Sequence, residues 1–233
     1  KLGLIDQHIH KTKHPQVIDL SHIHHKLHAA CAFYRSGFDK AVAVIVDGAG
    51  TFIPIQNSIA GEMTVFEVES IFSCDYPNDI FALYKHYGTG TATPGAYYPQ
   101  MDSENIGEAG HTHEAIFSDK AGIVKVYEAV TQYCGFSAIE AGKTMGLFPY
   151  GKKNDVIPPL FQKEGHFELS NRNLIIPTYP NASVVNSQHY PFLDETPASD
   201  KTDDWTRLQS RRDLSYAVQK ESQKQCLDLI YKA

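Results

Sequence analysis

The sequence predicts an α/β fold, and three stretches carry that expectation. Ile23 to Tyr34 places Ile23, Leu27, Ala30, Cys31 and Tyr34 at the i, i+4, i+7, i+8, i+11 spacing of one helix face. Soon after, Ala41 to Val46 forms an unbroken Val-rich run, too short for a helix and typical of a strand covered on both faces. Far along the chain, Ile123, Val126, Tyr127, Val130, Tyr133 and Cys134 trace a second amphipathic helix, which stops at Gly135 as a helix C-terminus should.

The remaining elements follow in order. Ser21 is placed to cap the first helix, and Ser36-Gly37-Phe38-Asp39 reads as the turn into the first strand. Asp47-Gly48-Ala49-Gly50 closes that strand in a tight turn; Thr51 to Ile55 and Met63 to Ser70 then continue as strands of a meander. From Ser73 to Asp119 the composition shifts to Gly, Pro, Tyr, Asn and Ser, which suggests an insertion-like excursion, loosest at Thr89 to Gly95 and partly helical near Ile80 to Tyr87. Past the second helix, Glu140 to Gly151 reads as a Gly-rich loop, and the proline-interrupted 158–204 segment as irregular structure. Asp213 to Tyr231, with Leu214, Ala217, Val218, Leu227, Leu229 and Ile230, reads as a final helix with a polar middle.

With 233 residues, 42% of them apolar and 21% charged, the chain has material for one large domain or two lobes. A net charge of -6 argues against a broad cationic surface, so nucleic acid and anionic membranes are not the expected partners. Small or carrier-bound substrates fit better. Cys31, Cys74, Cys134 and Cys226 lie far apart with no C-x-x-C pair, which points to reduced thiols in an intracellular, cytoplasmic protein. No apolar run reaches 18 residues, and Lys1 to His10 lacks the character of a signal peptide. A start at Lys1 rather than Met suggests a piece of a longer reading frame.

Histidine supplies the sharpest signal. Seven of the 12 histidines fall within the first 28 residues. On the first helix His24 and His28 are separated by about 40° round the axis, so both imidazoles can reach one ion. Asp47, ending the first strand, could complete a facial set suited to iron or another divalent first-row metal. A histidine pair at this spacing is also common on a solvated helix face. The small residues Ala29 and Ala30 and the Asp-Gly turn favour the metal.

At this point the residues resemble a known family. His24-His25-Lys26-Leu27-His28-Ala29-Ala30, then Phe33-Tyr34-Arg35-Ser36, then Ala41 to Asp47-Gly48 are similar to blocks of the O-carbamoyltransferases that modify aminoglycosides, cephalosporins and nodulation factors. Val126 to Phe136 and the stretch Glu140 to Gly151, with Gly142-Lys143-Thr144-Met145-Gly146-Leu147, resemble two later blocks of that family. The resemblance spans His22 to Lys152 well and Asp213 to Tyr231 loosely. It implies an actin-like, sugar-kinase-like (ASKHA) mixed-sheet fold related to the threonylcarbamoyl-transferring tRNA-modification subunit, with residues 1–233 as one incomplete carbamoyl-transfer domain. His24, His28 and Asp47 would then bind Fe2+. ATP and carbamoyl phosphate would give carbamoyl adenylate in a separate C-terminal domain, and the group would pass to a hydroxyl of a small-molecule acceptor, with Asp47 orienting or deprotonating that hydroxyl. Candidate substrate contacts are Gly48, Gly50, Gly122, Glu140 and Lys143. For Lys143 and its neighbouring glycines the alternative is a plain tight turn, and for Glu140 a solvated carboxylate. The family's turn usually continues with Glu where Thr51 stands, and its late aspartate ligand and adenylate-forming domain lie outside this sequence, so the fragment alone is expected to be inactive.

Three other readings compete. Gly142-Lys143-Thr144 fails as a P-loop, because Ser137 occupies the required glycine position and a helix, not a strand, precedes it. Leu4 to His10, an apolar run ending in His-x-His, matches the first strand of a metal-dependent amidohydrolase barrel, but no regular βα alternation follows. A non-catalytic ligand-binding lobe is the third reading. Asn181-Ala182-Ser183 is a sequon only if the protein is secreted.

Overall fold

The computed structural model describes residues 20, 23–57, 61–89, 98–99, 113–165, 167–178, 182–188, 190, 193 and 201–233. Ser21 and the Leu4 to His10 run fall outside them. Helix α1 spans His24–Ser36 and ends at Gly37, whose φ of 77° is the left-handed conformation that glycine adopts without cost. Its first backbone N–H, on His24, donates across the fold to Thr51 Oγ1 at 3.0 Å, so the helix start is capped by a residue 27 positions away.

A mixed six-stranded sheet forms the frame, containing β1 (Lys40–Val46), β2 (Phe52–Asn57), β3 (Gly61–Asp75), β4 (Asp79–Gly88), β5 (Tyr98–Pro99) and β6 (Glu114–Ser118). The order is β1-β3-β4-β6-β5. The first three neighbours run antiparallel, β6 is parallel to β4, and β5 is antiparallel to β6. Both β1 and β2 pair with β3, on its C-terminal and N-terminal halves respectively, so the expected meander is replaced by two strands sharing one long partner. The chain between β1 and β2 crosses that gap as the Asp47 to Thr51 turn. It is tied to β3 by Asp47 N–H to Val68 O at 3.2 Å, Gly50 N–H to Glu67 O at 2.8 Å and Glu67 N–H to Thr51 O at 3.1 Å.

At the same level β3 carries a bulge: Glu67 pairs with Tyr87 and Glu69 with His86, leaving Val68 as the extra residue. The consequence is a change of face. Glu67 lies on the α1 side, within reach of the backbone of His25, whereas Glu69 accepts from the N–H of Ile123 at 2.8 Å on the opposite side.

Ile80 to Tyr87 is strand, not partly helix: β4 is sandwiched between β3 and β6, and hydrogen bonding on both edges outweighs a helix-like spacing of its apolar residues. Both ends of the 73–119 stretch are thus strands of the main sheet. β1 differs from expectation in the other direction. It sits at the edge of the sheet with Val42 46% exposed, so it is only half covered.

Helix α1 packs Ala29 and Phe33 against Phe72, Cys74 and Ile80. On the other face α2 (Ile123–Tyr133) and α5 (Gln209–Lys232) build the larger core through Val126, Val130, Leu214 and Val218. Glu140 to Gly151 is not a loop. It folds as a 3-10 turn at Ala138–Glu140, helix α3 (Ala141–Leu147) and a second 3-10 turn at Phe148–Tyr150, because Gly142 and Gly146 face open space while Thr144 and Leu147 are buried. The irregular 158–204 segment contains two hairpins, β7 (Phe161–Glu164) with β8 (Phe167–Ser170) and β9 (Ile175–Thr178) with β10 (Ala182–Val185). Helix α4 (Thr202–Arg207) then leads into α5, which begins four residues before the expected Asp213. Among the described residues no barrel occurs, and no helix is long and apolar enough to cross a membrane. All four cysteines are unpaired.

Candidate metal centre

The α1 cap and the β1–β2 turn meet at the bulge, and this meeting brings His24, His28 and Asp47 together. His24 Nε2 lies 2.9 Å from Asp47 Oδ2 and 3.0 Å from His28 Nε2, and the third side, from His28 Nε2 to Asp47 Oδ2, is 3.9 Å. A triangle with these sides has a circumradius of about 2.0 Å, so one point lies at a metal–imidazole bond length from all three donor atoms. Two imidazole nitrogens and one carboxylate oxygen form a set suited to a divalent first-row ion. The side chains are 42%, 53% and 31% exposed, which leaves the far side open to further ligands or substrate.

Asp47 is fixed by its neighbours. Its Oδ1 accepts from the N–H of Gly48 at 2.6 Å. Burial acts to raise its pKa, but the Gly48 bond, the His24 bond and the neighbouring imidazoles outweigh it and hold the carboxyl below its usual range.

Behind the three residues lies a buried layer that periodicity did not reveal. His25 is fully buried, with Nδ1 2.7 Å from Ser70 Oγ and Nε2 3.8 Å from Asp47 Oδ2. Burial pushes its pKa down to about 4 against the opposing pull of Glu67, so the ring is neutral at physiological pH. Glu67, 1% exposed, pairs with Lys85 and accepts from Thr51 N–H at 3.1 Å. Although burial tends to raise the Glu67 pKa, Lys85 and His25 depress it below the carboxylate norm. Gly50 is required here. A Cβ on it would stand 2.6 Å from His25 Cδ2 and 2.9 Å from Glu67 Cβ.

The other candidates are spread more widely. Gly48 and Gly50 belong to the turn, with Lys125 over Gly48: a Cβ there would meet its Nζ at 3.2 Å. Lys125, which the sequence did not single out, pairs with Glu128 at 2.6 Å. Gly122 precedes α2 and packs against the bulge, where a Cβ would approach Val68 Cγ1 to 2.0 Å. Glu140 accepts from Ser137 N–H at 3.0 Å and pairs with Lys143 at 2.5 Å, while Lys143 also lies over the Phe136 ring. These contacts are local, and none reaches the His24, His28 and Asp47 set. On the other face of the sheet Glu69, His86 and Ser118 form a buried chain, with His86 2.5 Å from Glu69 and 3.1 Å from Ser118. A cleft of 490 Å³ between β8 and the end of α5, lined by Tyr84, Phe167, Gln225 and Lys232 among others, shares no residue with the His24, His28 and Asp47 cluster.

The family model described as the carbamoyltransferase N-terminus matches residues 3–202. No curated protein matches the chain.

Proposed function

A chain matched over residues 3–202 belongs to the carbamoyltransferase N-terminal family, and from that premise we propose that it moves a carbamoyl group from carbamoyl adenylate to a hydroxyl of a small-molecule acceptor. The donor is made from carbamoyl phosphate and ATP by an adenylate-forming domain of the parent polypeptide, the fold is of the actin-like, sugar-kinase-like class, and the protein works in the cytoplasm. The observation that carries the reading is the convergence of His24 Nε2, His28 Nε2 and Asp47 Oδ2 on one point. A lobe that only bound a partner would have no use for it.

His24, His28 and Asp47 would hold Fe2+ or another divalent first-row ion. The bound ion would supply Lewis-acid polarisation of the carbamoyl oxygen. Asp47, kept ionised by the Gly48 N–H and the adjacent imidazoles, orients the acceptor hydroxyl and accepts its proton. The hydroxyl oxygen then bonds to the carbamoyl carbon, the carbon–oxygen bond to the adenylate breaks, and AMP leaves. Gly48, Gly50 and Gly122 meet substrate through their backbone, since the space a Cβ would take is filled by Lys125, His25 and Val68 respectively. Glu140 and Lys143, half exposed and mutually paired, bind substrate further out.

Carbamoylation of a panel of hydroxyl acceptors by the parent polypeptide, given carbamoyl phosphate, ATP and Fe2+, tests this reading. Product formation coupled to AMP release, and lost in Asp47→Asn and His28→Ala, supports it. Undiminished product in both variants, or product formed without ATP, contradicts it.

A further inference from the structure

We propose that His25 is a positioning residue for Asp47, its Nε2–H donating to carboxylate oxygen Oδ2 when the ion is bound. The inference rests on the metal reading above and adds a residue outside the ligand set. His25 Nε2 is a fully buried polar atom with no hydrogen-bond partner among the described residues. Such an atom carries a free-energy penalty and calls for a reason. The Asp47 Oδ2 carboxylate oxygen lies 3.8 Å from it.

Without an ion, Oδ2 has a donor in His24 Nε2 at 2.9 Å. To bind an ion, His24 must present the lone pair of Nε2 and give up that proton, and Oδ2 loses its donor. Outside the proposed ligands, His25 offers a ring nitrogen 3.8 Å from the same oxygen. When the Ser70 hydroxyl donates to Nδ1 at 2.7 Å, the imidazole proton sits on Nε2, the tautomer able to donate. Closing from 3.8 Å to hydrogen-bonding distance asks about 1 Å of movement, within reach of the partly exposed Asp47 side chain. Ligating carboxylates are generally held by such outer hydrogen bonds, and losing one typically weakens metal binding roughly 10- to 100-fold.

Gly50 independently points to the same arrangement. A methyl group there would stand 2.7 Å from His25 Nε2, so the turn that carries Asp47 leaves room for this imidazole.

Two substitutions separate donation from packing. His25→Gln places an amide N–H near the Nε2 position, whereas His25→Asn keeps a polar group near Nδ1 and lacks the donor. Co2+ binding to the full chain, followed by visible absorbance against a competing chelator, is measured beside urea midpoints of the metal-free proteins. The expected result is roughly 10- to 100-fold weaker binding with an altered Co2+ spectrum in His25→Asn, and recovery of most of the affinity in His25→Gln at matching midpoints. Wild-type affinity in His25→Asn overturns the inference, as does His25→Gln binding no better than His25→Asn. If His25→Asn does not fold, Ser70→Ala decides: several-fold weaker Co2+ binding supports the tautomer argument and unchanged binding overturns it. Failure of the unaltered chain to bind Co2+ would instead overturn the metal reading.

Discussion

Replacing Glu67 by Gln removes one negative charge from the layer behind Asp47 while preserving shape. Glu67 is 1% exposed and pairs with Lys85, whose side chain is 14% exposed, so the substitution leaves a nearly buried ammonium without its counter-charge. Breaking a buried pair from one side costs about 3–5 kcal/mol. The Gln carbonyl can still accept the Thr51 N–H, which places the expected loss near the lower figure, about 3 kcal/mol. Against a total stability of about 5–15 kcal/mol this is a large fraction, readily seen as a shifted urea midpoint at neutral pH. Glu67→Gln combined with Lys85→Met removes both charges, and the double variant is expected to be more stable than Glu67→Gln alone. The effect has a definite pH dependence. Because the folded-state pKa of Glu67 is depressed, its contribution is present above the unfolded carboxylate value of 4.5 and is lost as pH falls through the lower folded value. Wild type and Glu67→Gln therefore converge in acid. A change below about 0.5 kcal/mol at neutral pH, or a double variant as destabilised as the sum of its parts, would refute the reasoning.

Other expectations follow from the same geometry. Gly122→Ala drives a methyl group into Val68 and toward the Glu69 carboxylate that caps α2, and should cost about 1–3 kcal/mol in urea unfolding. His28→Ala, at a half-exposed side chain, should abolish tight metal binding while leaving the metal-free midpoint unchanged, as read by titration calorimetry and urea melts. Lys143→Ala, at an exposed ion pair, should leave the midpoint in place and raise the KM for the acceptor in the carbamoylation assay.

That His24, His28 and Asp47 come together was legible from two local signals, a four-residue histidine spacing and a strand ending in Asp-Gly. His25 was not, because the apolar stripe Ile23, Leu27, Ala30, Cys31, Tyr34 points to a different face from the one α1 buries. The buried face is His25, Ala29 and Phe33, a stripe headed by a polar residue, and Tyr34 is 50% exposed. The doublet His24-His25 followed by Ala29 and Phe33 was the available clue. The Val68 bulge has no local signature, yet it sends Glu67 and Glu69 to opposite faces and fixes where the Asp47 turn crosses. β4 misled because a strand buried along much of both faces shows a continuous apolar run, which periodicity alone does not separate from a helix. The glycines of α3 suggested a loop, and their tolerance depends on the open space beside them, a tertiary fact. α5 starts early for a similar reason. Arg211 and Asp213 are buried with polar partners, Arg211 over the Tyr133 ring and on Leu193 O at 2.7 Å, Asp213 on Lys152 N–H at 3.0 Å.

Anaerobic Fe2+ titration of the chain beside His24→Ala tests most directly the proposed ion held by His24, His28 and Asp47. The prediction is about one Fe2+ bound per chain in the unaltered protein and none held tightly by the variant. Equal Fe2+ binding by both proteins, or no binding by either, would contradict it.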